Sequence, residues 1–110
     1  MRAIELAGVL GLDIISQNGA DREVKSCYAG DLLSWVMSRA VADSVWITIM
    51  SNVNMAAVAV LTDMTMVIIA ESAQPDEGLV EKFKGMNTML CRSNCSVYEL
   101  AWRIRDAAGI

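Results

Sequence analysis

The chain has 110 residues, of which 55% are hydrophobic and 20% charged, and its formal net charge is −4. That length fits one domain, which buries about 60–70% of the unfolded chain's surface around a single core. The composition excludes a disordered chain, and the absence of any Lys/Arg run excludes a nucleic-acid face, which needs clustered cations to neutralise phosphates.

Residues 2–10 read as an amphipathic first helix, with Gly11 as its stop signal. LDIIS and REVKSCYA read as two short strands with an Asn18-Gly19 turn between them. Asp31 then precedes LLSWVMSRA, where Leu32, Leu33, Val36, Met37 and Ala40 share one helical face. From residue 44 the pattern is regular. SVWITI is a strand rich in β-branched residues, and NVNMAAVAVL is a helix apolar nearly all round, which predicts a buried one. MVIIA is an apolar strand of the kind found inside parallel sheets. PDEGLVEKF opens a helix with Pro75 and two acids, Gly85 closes it, and TMLC follows as a strand. Ser96 and Glu99 form a capping box for the last helix, with Cys95 placed to staple onto Leu100. Val97, Leu100, Ala101, Ile104 and Ala108 make its buried stripe.

Strand and helix alternate three times, which predicts parallel crossovers. The expected fold is a small three-layer α/β sandwich with a mostly parallel sheet, in a single domain. The longest apolar region, MAAVAVLTDMTMVIIA, is interrupted by Thr62, Asp63 and Thr65. It falls short of the ~18 residues that a membrane span needs. The three cysteines, Cys27, Cys91 and Cys95, are an odd number without a signal peptide, which predicts a reducing cytoplasm and no disulfide framework.

Ligands of open α/β sheets bind beyond the carboxyl ends of the strands. Those ends carry Ser51, Asn52 and Asn54, then Glu71 and Ser72, then Arg92 and Ser93. Parallel strands would line all three groups along one edge, beside helix N-termini that suit an anion or a polar small molecule. The same residue types also cap helices, and both readings stand. No catalytic set is legible. Histidine is absent, and neither common phosphate-loop motif occurs. Cys91 and Cys95 with distant Cys27 fall one ligand short of a closed zinc shell. No metal and no cofactor is expected. Trp35 lies off the apolar face of its helix, and Tyr98 and Trp102 lie beside the last helix's stripe, near Arg105. Exposed Trp, Tyr and Arg together are typical of interface anchors, so these four predict a homodimer.

The run ADREVKSCYAGDLLSWVM resembles the signature of the DRTGG domain family. The likeness continues through VWITIMSNVNMAAVAVL and MVIIAESAQPDEGLVEKF to the closing SVYELAWRI. Asp21, Arg22, Tyr28, Asp31, Leu32, Leu33, Trp46, Thr48 and Asn54 keep the pattern. Lys25-Ser26-Cys27 stands where the family usually has Thr-Gly-Gly, and Met50-Ser51-Asn52 stands where a Gln-Thr-His type run is common.

The resemblance implies a fold like the N-terminal domain of HPr kinase/phosphorylase, without the kinase site. It implies a regulatory role, since members are fused to CBS domain pairs and to phosphotransacetylases. Standalone versions accompany hydrogenase and redox genes of anaerobes. It carries no reaction. The resulting expectation is a non-catalytic regulatory or interaction module. The alternatives are a sensor of a nucleotide or another anion, and a thiol-dependent redox protein. Within the motif, Asp21 is expected to cap the turn and Arg22 to pair with Asp31, pinning strand to helix.

Overall fold

Successive residues of a strand face opposite sides of its sheet, and the central strands of this chain are apolar on both. In the computed structural model, which describes residues 1–110, β3 (Ser44–Thr48) and β4 (Met66–Ile69) are buried along their whole length. They are the middle of a five-stranded sheet ordered β1-β5-β4-β3-β2, with β1 at Asp13–Ser16, β2 at Ser26–Ala29 and β5 at Met89–Arg92. β2, β3, β4 and β5 run parallel, and β1 pairs antiparallel with β5 through Asp13↔Arg92 and Ile14↔Cys91.

Two apolar layers sandwich this sheet. On one side α1 (Ala3–Leu10) and α5 (Val97–Ala108) pack through Leu6, Leu10, Leu100 and Ile104 onto Val45, Ile47, Met66, Ile68, Met89 and Cys91. On the other, α2 (Leu33–Arg39), α3 (Asn54–Leu61) and α4 (Glu77–Phe83) pack through Val36, Met55, Leu79 and Phe83 onto Trp46, Val67, Ile69 and Leu90. The expected three-layer sandwich with a mostly parallel sheet is the observed fold. Trp46 is fully buried, and its indole N–H donates to the Gly30 carbonyl at 2.8 Å, so the largest core side chain leaves no polar atom unpaired.

Several local expectations change. The two strands flanking Asn18-Gly19 are not a hairpin, because β1 and β2 lie at opposite edges of the sheet. The second is also shorter than its sequence suggests, beginning only at Ser26. The connection of residues 17–25 instead travels under the N-terminal ends of all the parallel strands. Gly85 does not end α4. The cap is Lys84 in right-handed conformation, and the side-chain amide of Asn18 donates to the Phe83 and Lys84 carbonyls at 3.1 and 2.9 Å. An Asn from the crossing loop thus satisfies carbonyls that would otherwise lack partners. Half of the capping box on α5 forms: the Glu99 N–H donates to Ser96 Oγ at 3.1 Å, while the Glu99 carboxylate pairs with Arg103. α3 is not buried all round, since only Met55, Ala56, Val58 and Ala59 face the core.

Candidate functional site

The charged motif occupies the N-terminal edge of the sheet. Arg22 does not pair with Asp31. Its Nη1 donates to the carbonyls of Met64 (2.9 Å) and Asn87 (2.8 Å), and its Nη2 to Asp43 Oδ1 (2.9 Å) and the Asp63 carbonyl (3.1 Å). An ion pair to Asp63 Oδ1 at 3.0 Å completes the set. These acceptors immediately precede β3, β4 and β5, so one guanidinium fork ties three strand starts to the crossing loop. Asp43 and Asp63 both hold positive φ, 61° and 53°, a conformation that Asp adopts more readily than most residues. Arg22 and its hydrogen bond draw the Asp43 carboxyl below its ordinary pKa. Asp21 is nearly fully exposed, and its one side-chain partner is Arg2 at 3.5 Å. A pair so solvated contributes little. Arg22, in contrast, holds the starts of three strands to the crossing loop.

Asp31 belongs to the opposite, C-terminal edge. Its Oδ1 accepts from Thr48 Oγ1 at 2.7 Å and from the Ile49 N–H at 2.9 Å, and Thr48 Oγ1 accepts from the Met50 N–H. Asp31 therefore locks the end of β3 to the loop that starts α2. Tyr28, at the end of β2, is half-buried, with its ring close to Gly30.

The predicted ligand residues fall on this same edge in two separately bonded groups. In the first, the Asn52 amide oxygen accepts from the Asn54 N–H at 3.0 Å, and the Ser51 carbonyl accepts from the Asp76 N–H. The second is a tighter network around Arg92. Its guanidinium donates to Asp13, to the Ser72 and Ala73 carbonyls and to the Asn94 amide oxygen, which also accepts from Ser72 Oγ. Glu71 Oε2 accepts from the Val97 N–H at the start of α5, and Ser93 Oγ accepts from the Cys95 N–H. Glu71 and Ser72 hold consecutive positive φ angles of 59° and 64°, held by N–H donations to the Cys95 and Ser93 carbonyls. No hydrogen bond joins the two groups.

Topology explains why no cleft opens between them. A crevice at strand ends needs a reversal of strand order. Here each of α2, α3 and α4 advances the chain one strand in the same direction, on the same face. The molecule's cavity, about 800 Å³, lies elsewhere: an open groove between α3 and α4 lined by Val53, Asn54, Ala56, Ala57, Val60 and Leu61, with Lys82 and Met86 on its far wall. The polar residues and the cavity thus lie apart, and only Asn54 belongs to both. The charged side chains at the strand ends already have partners within the chain.

The cysteines do not converge. Cys27 sits on β2 and Cys91 on β5, with β3 and β4 between them, and no three His, Cys, Asp or Glu side chains gather. Burial pushes the Cys27 thiol up from 9.0 to about 11, and burial together with the Asp13 charge pushes Cys91 up from 9.0 to about 12. Redox thiols need the reverse shift, so Cys91, one of the two thiols that the redox alternative would use, lacks that activation. Cys27 and Cys91 should both react with a disulfide reagent at pH 8 at least ~100-fold more slowly than in urea-unfolded chain. Because the folded-state pKa values are raised, this contribution to stability is full below about pH 9 and lost as pH rises to about 12. Fast labelling of native Cys27 or Cys91 would contradict the burial argument.

Sequence reasoning missed the outer face of α3. Its Val53, Val60 and Leu61 are 41%, 56% and 71% exposed, where the sequence predicted burial. Of the four expected anchors, Trp35 belongs to the α2–α4 layer, whereas Tyr98, Trp102 and Arg105 are on α5 behind the sheet. They cannot form one patch. The cation that stacks on an indole is Arg39 over Trp35, 3.7 Å from the ring centre, and not Arg105 over Trp102.

No family profile matches the chain by sequence, and no curated protein matches it. Among solved structures it is similar to the CBS and DRTGG domains of the regulatory region of Clostridium perfringens pyrophosphatase, in complex with the activator diadenosine tetraphosphate. The TM-score is 0.74 at 10% identity, over 90% of this chain and 44% of that one. The match covers less than half of that neighbour's chain, and at this identity the likeness shows the fold alone, a DRTGG/CBS-like one.

Proposed function

We propose that the chain is a non-catalytic, DRTGG-like regulatory domain that acts by docking another protein surface against the layer of α2, α3 and α4. One observation carries this reading. The charged groups of both sheet edges are occupied within the chain, while the central helix of the outer layer presents an uncharged surface beside an open groove. Exposed apolar area of this kind is what interaction faces have and what isolated monomers avoid. The fold neighbour is itself part of a regulatory region, and no helix is long and apolar enough to cross a membrane.

The test is capture from native cells with the wild type and with Ala57→Glu, which puts a charge in the middle of the α3 face. A partner captured by the first and lost by the second is the expected result. A partner retained equally by both would overturn the reading. So would turnover of phosphatase, esterase or nucleotidase substrates that disappears on changing one carboxylate or cysteine.

A second reading, a sensor of a small anionic ligand, is favoured by one observation: the neighbour's regulatory region is complexed with a nucleotide activator. For this chain the residues would be Ser51 and Asn52, which lie at the start of α3, where Val53 as N-cap offers no side-chain acceptor. Adenine nucleotides at 100 times their dissociation constant would then stabilise the fold by about 2.7 kcal/mol, and Ser51→Ala would reduce the effect. A flat thermal response across the panel removes this reading.

A further inference from the structure

We propose that the partner of the α2–α4 layer is a second copy of this chain, joined by a twofold axis running roughly along α3. This rests on the reading that the layer is a docking face, and adds what covers it. Three features point to self-pairing in that orientation.

The first is the α3 surface. The helix, NMAAVAVL, has no charged residue. Its outward positions, Val53, Ala57, Val60 and Leu61, follow the i, i+4, i+7, i+8 spacing of a helix-packing stripe. Ala57, at the centre, is small enough for close approach. A surface without charge can meet its own image without like-charge repulsion, as an isologous interface requires.

The second is the charge on either side. α3 touches α2 on one flank and α4 on the other. α2, LSWVMSR, carries the single charge of Arg39, whose guanidinium folds back over Trp35 toward the start of that helix. α4, EGLVEKF, carries Glu77, Glu81 and Lys82; Glu81 is paired with Lys84, Lys82 lines the groove beside α3, and Glu77 is the acid of α4 without an ion-pair partner. A twofold axis along α3 places α2 of one copy over α4 of the other, so that Arg39 faces the helix that carries Glu77. A twofold axis across the helices would stack α2 antiparallel on α2 and α4 on α4, leaving Arg39 without an acidic counterpart. Complementarity selects the first.

The third is size. Three helices spaced about 8–10 Å apart, on a body 31 × 26 × 25 Å across, present a face on the order of 600 Å² per copy. Its burial clears the roughly 1,000 Å² total that a specific interface needs. The exposed Trp35, on α2, adds the aromatic area that such interfaces favour.

Sedimentation or light scattering on the wild-type chain at tens of micromolar should show a dimer. Ala57→Glu should raise its dissociation constant by about a hundredfold, since two like charges would meet near the axis. The same protein should keep its circular dichroism and melting behaviour as a monomer, because Ala57 is exposed. Trp102→Glu, behind the sheet, should leave the dimer intact. Orientation is read by cross-linking. With the axis along α3, every residue of the stripe faces its own counterpart, so Val53→Cys and Leu61→Cys should each form a disulfide-linked dimer above the parent chain's background. A wild-type monomer overturns the self-pairing, while capture lost with Ala57→Glu would still sustain the docking face for a different protein. Dissociation by Trp102→Glu and not by Ala57→Glu overturns both the face and the proposal. Cross-linking at position 57 but at neither 53 nor 61 overturns the axis.

Discussion

Replacing Arg22 with alanine should lower the thermal midpoint by about 10–20 °C, through a loss of roughly 2–4 kcal/mol. The side chain is only 17% exposed and makes four hydrogen bonds, three to carbonyls and one to Asp43, besides its ion pair with Asp63. Alanine leaves those acceptors facing a gap that water fills incompletely. An acceptor left without its donor loses more than the bond was worth. It also leaves Asp43 and Asp63 in left-handed backbone without the cation that both of them contact. Lysine should recover less than half of the loss. Its ammonium is a point donor, and the site uses the planar fork to reach three separate strand starts. The clamp also predicts an acid signature. Hydrogen bonding to Arg22 lowers the Asp43 pKa below 3.8, so its stabilising effect is present above that pH and is lost as pH falls through the folded-state value. Asp43→Asn should therefore flatten the acid limb of the stability curve below about pH 4. Urea titration of Arg22→Ala decides the matter, and a loss under 1 kcal/mol would mean that the guanidinium is dispensable.

The Arg22 result shows what a sequence can and cannot disclose. The sheet was legible because its strands are apolar on both faces, a pattern with few other meanings. VWIT and MVII could hardly be anything but central parallel strands. The DRE cluster was legible as something particular, but its partners were not. Asp43 and Asp63 each sit within three residues before a parallel strand, and that recurrence is a signal pointing to a shared edge. Reading it requires knowing that residues 17–25 cross beneath those strands, and Asn18-Gly19 suggested a hairpin instead. The strand-end residues were placed on the correct edge, because alternation of strand and helix fixes which end is which. Whether they converge depends on strand order, which alternation does not contain. A monotonic order with three helices on one face leaves no crevice, and local sequence has no term for that. α3 marks a different limit. NMAAVAVL lacks charge whether it is buried by its own chain or by another, so the pattern is the same for a core helix and an interface helix. Only the sandwich, by giving α3 an outer side, separates the two.

Replacing Gly19 with alanine should cost about 2–4 kcal/mol, far more than an exposed loop glycine ordinarily does. The residue holds φ at +76°, where an L side chain is strained by roughly 1–2 kcal/mol. Space is the larger difficulty. A Cβ there would sit 2.7 Å from the Asn87 carbonyl oxygen and 3.2 Å from the Thr88 Cα. Both are backbone atoms, so no rotamer change can relieve the overlap. Either the loop lifts or the segment leading into β5 shifts. Lifting the loop breaks the Asn18 amide bonds that cap α4. Shifting the segment displaces the carbonyl that accepts from Arg22. The two substitutions therefore act on one structure, and their effects should not add. In a double-mutant cycle, Gly19→Ala with Arg22→Ala should lose at least 0.5 kcal/mol less than the sum of the single changes, the range found for residues that share a partner. Strict additivity would show that the turn and the clamp are independent. A cost for Gly19→Ala within about 0.5 kcal/mol would show that the crossing loop yields freely. The N-terminal edge would then owe its rigidity to the bonds made directly between strand starts, such as that from the Thr88 hydroxyl to the Met64 carbonyl, and not to the segment laid across them.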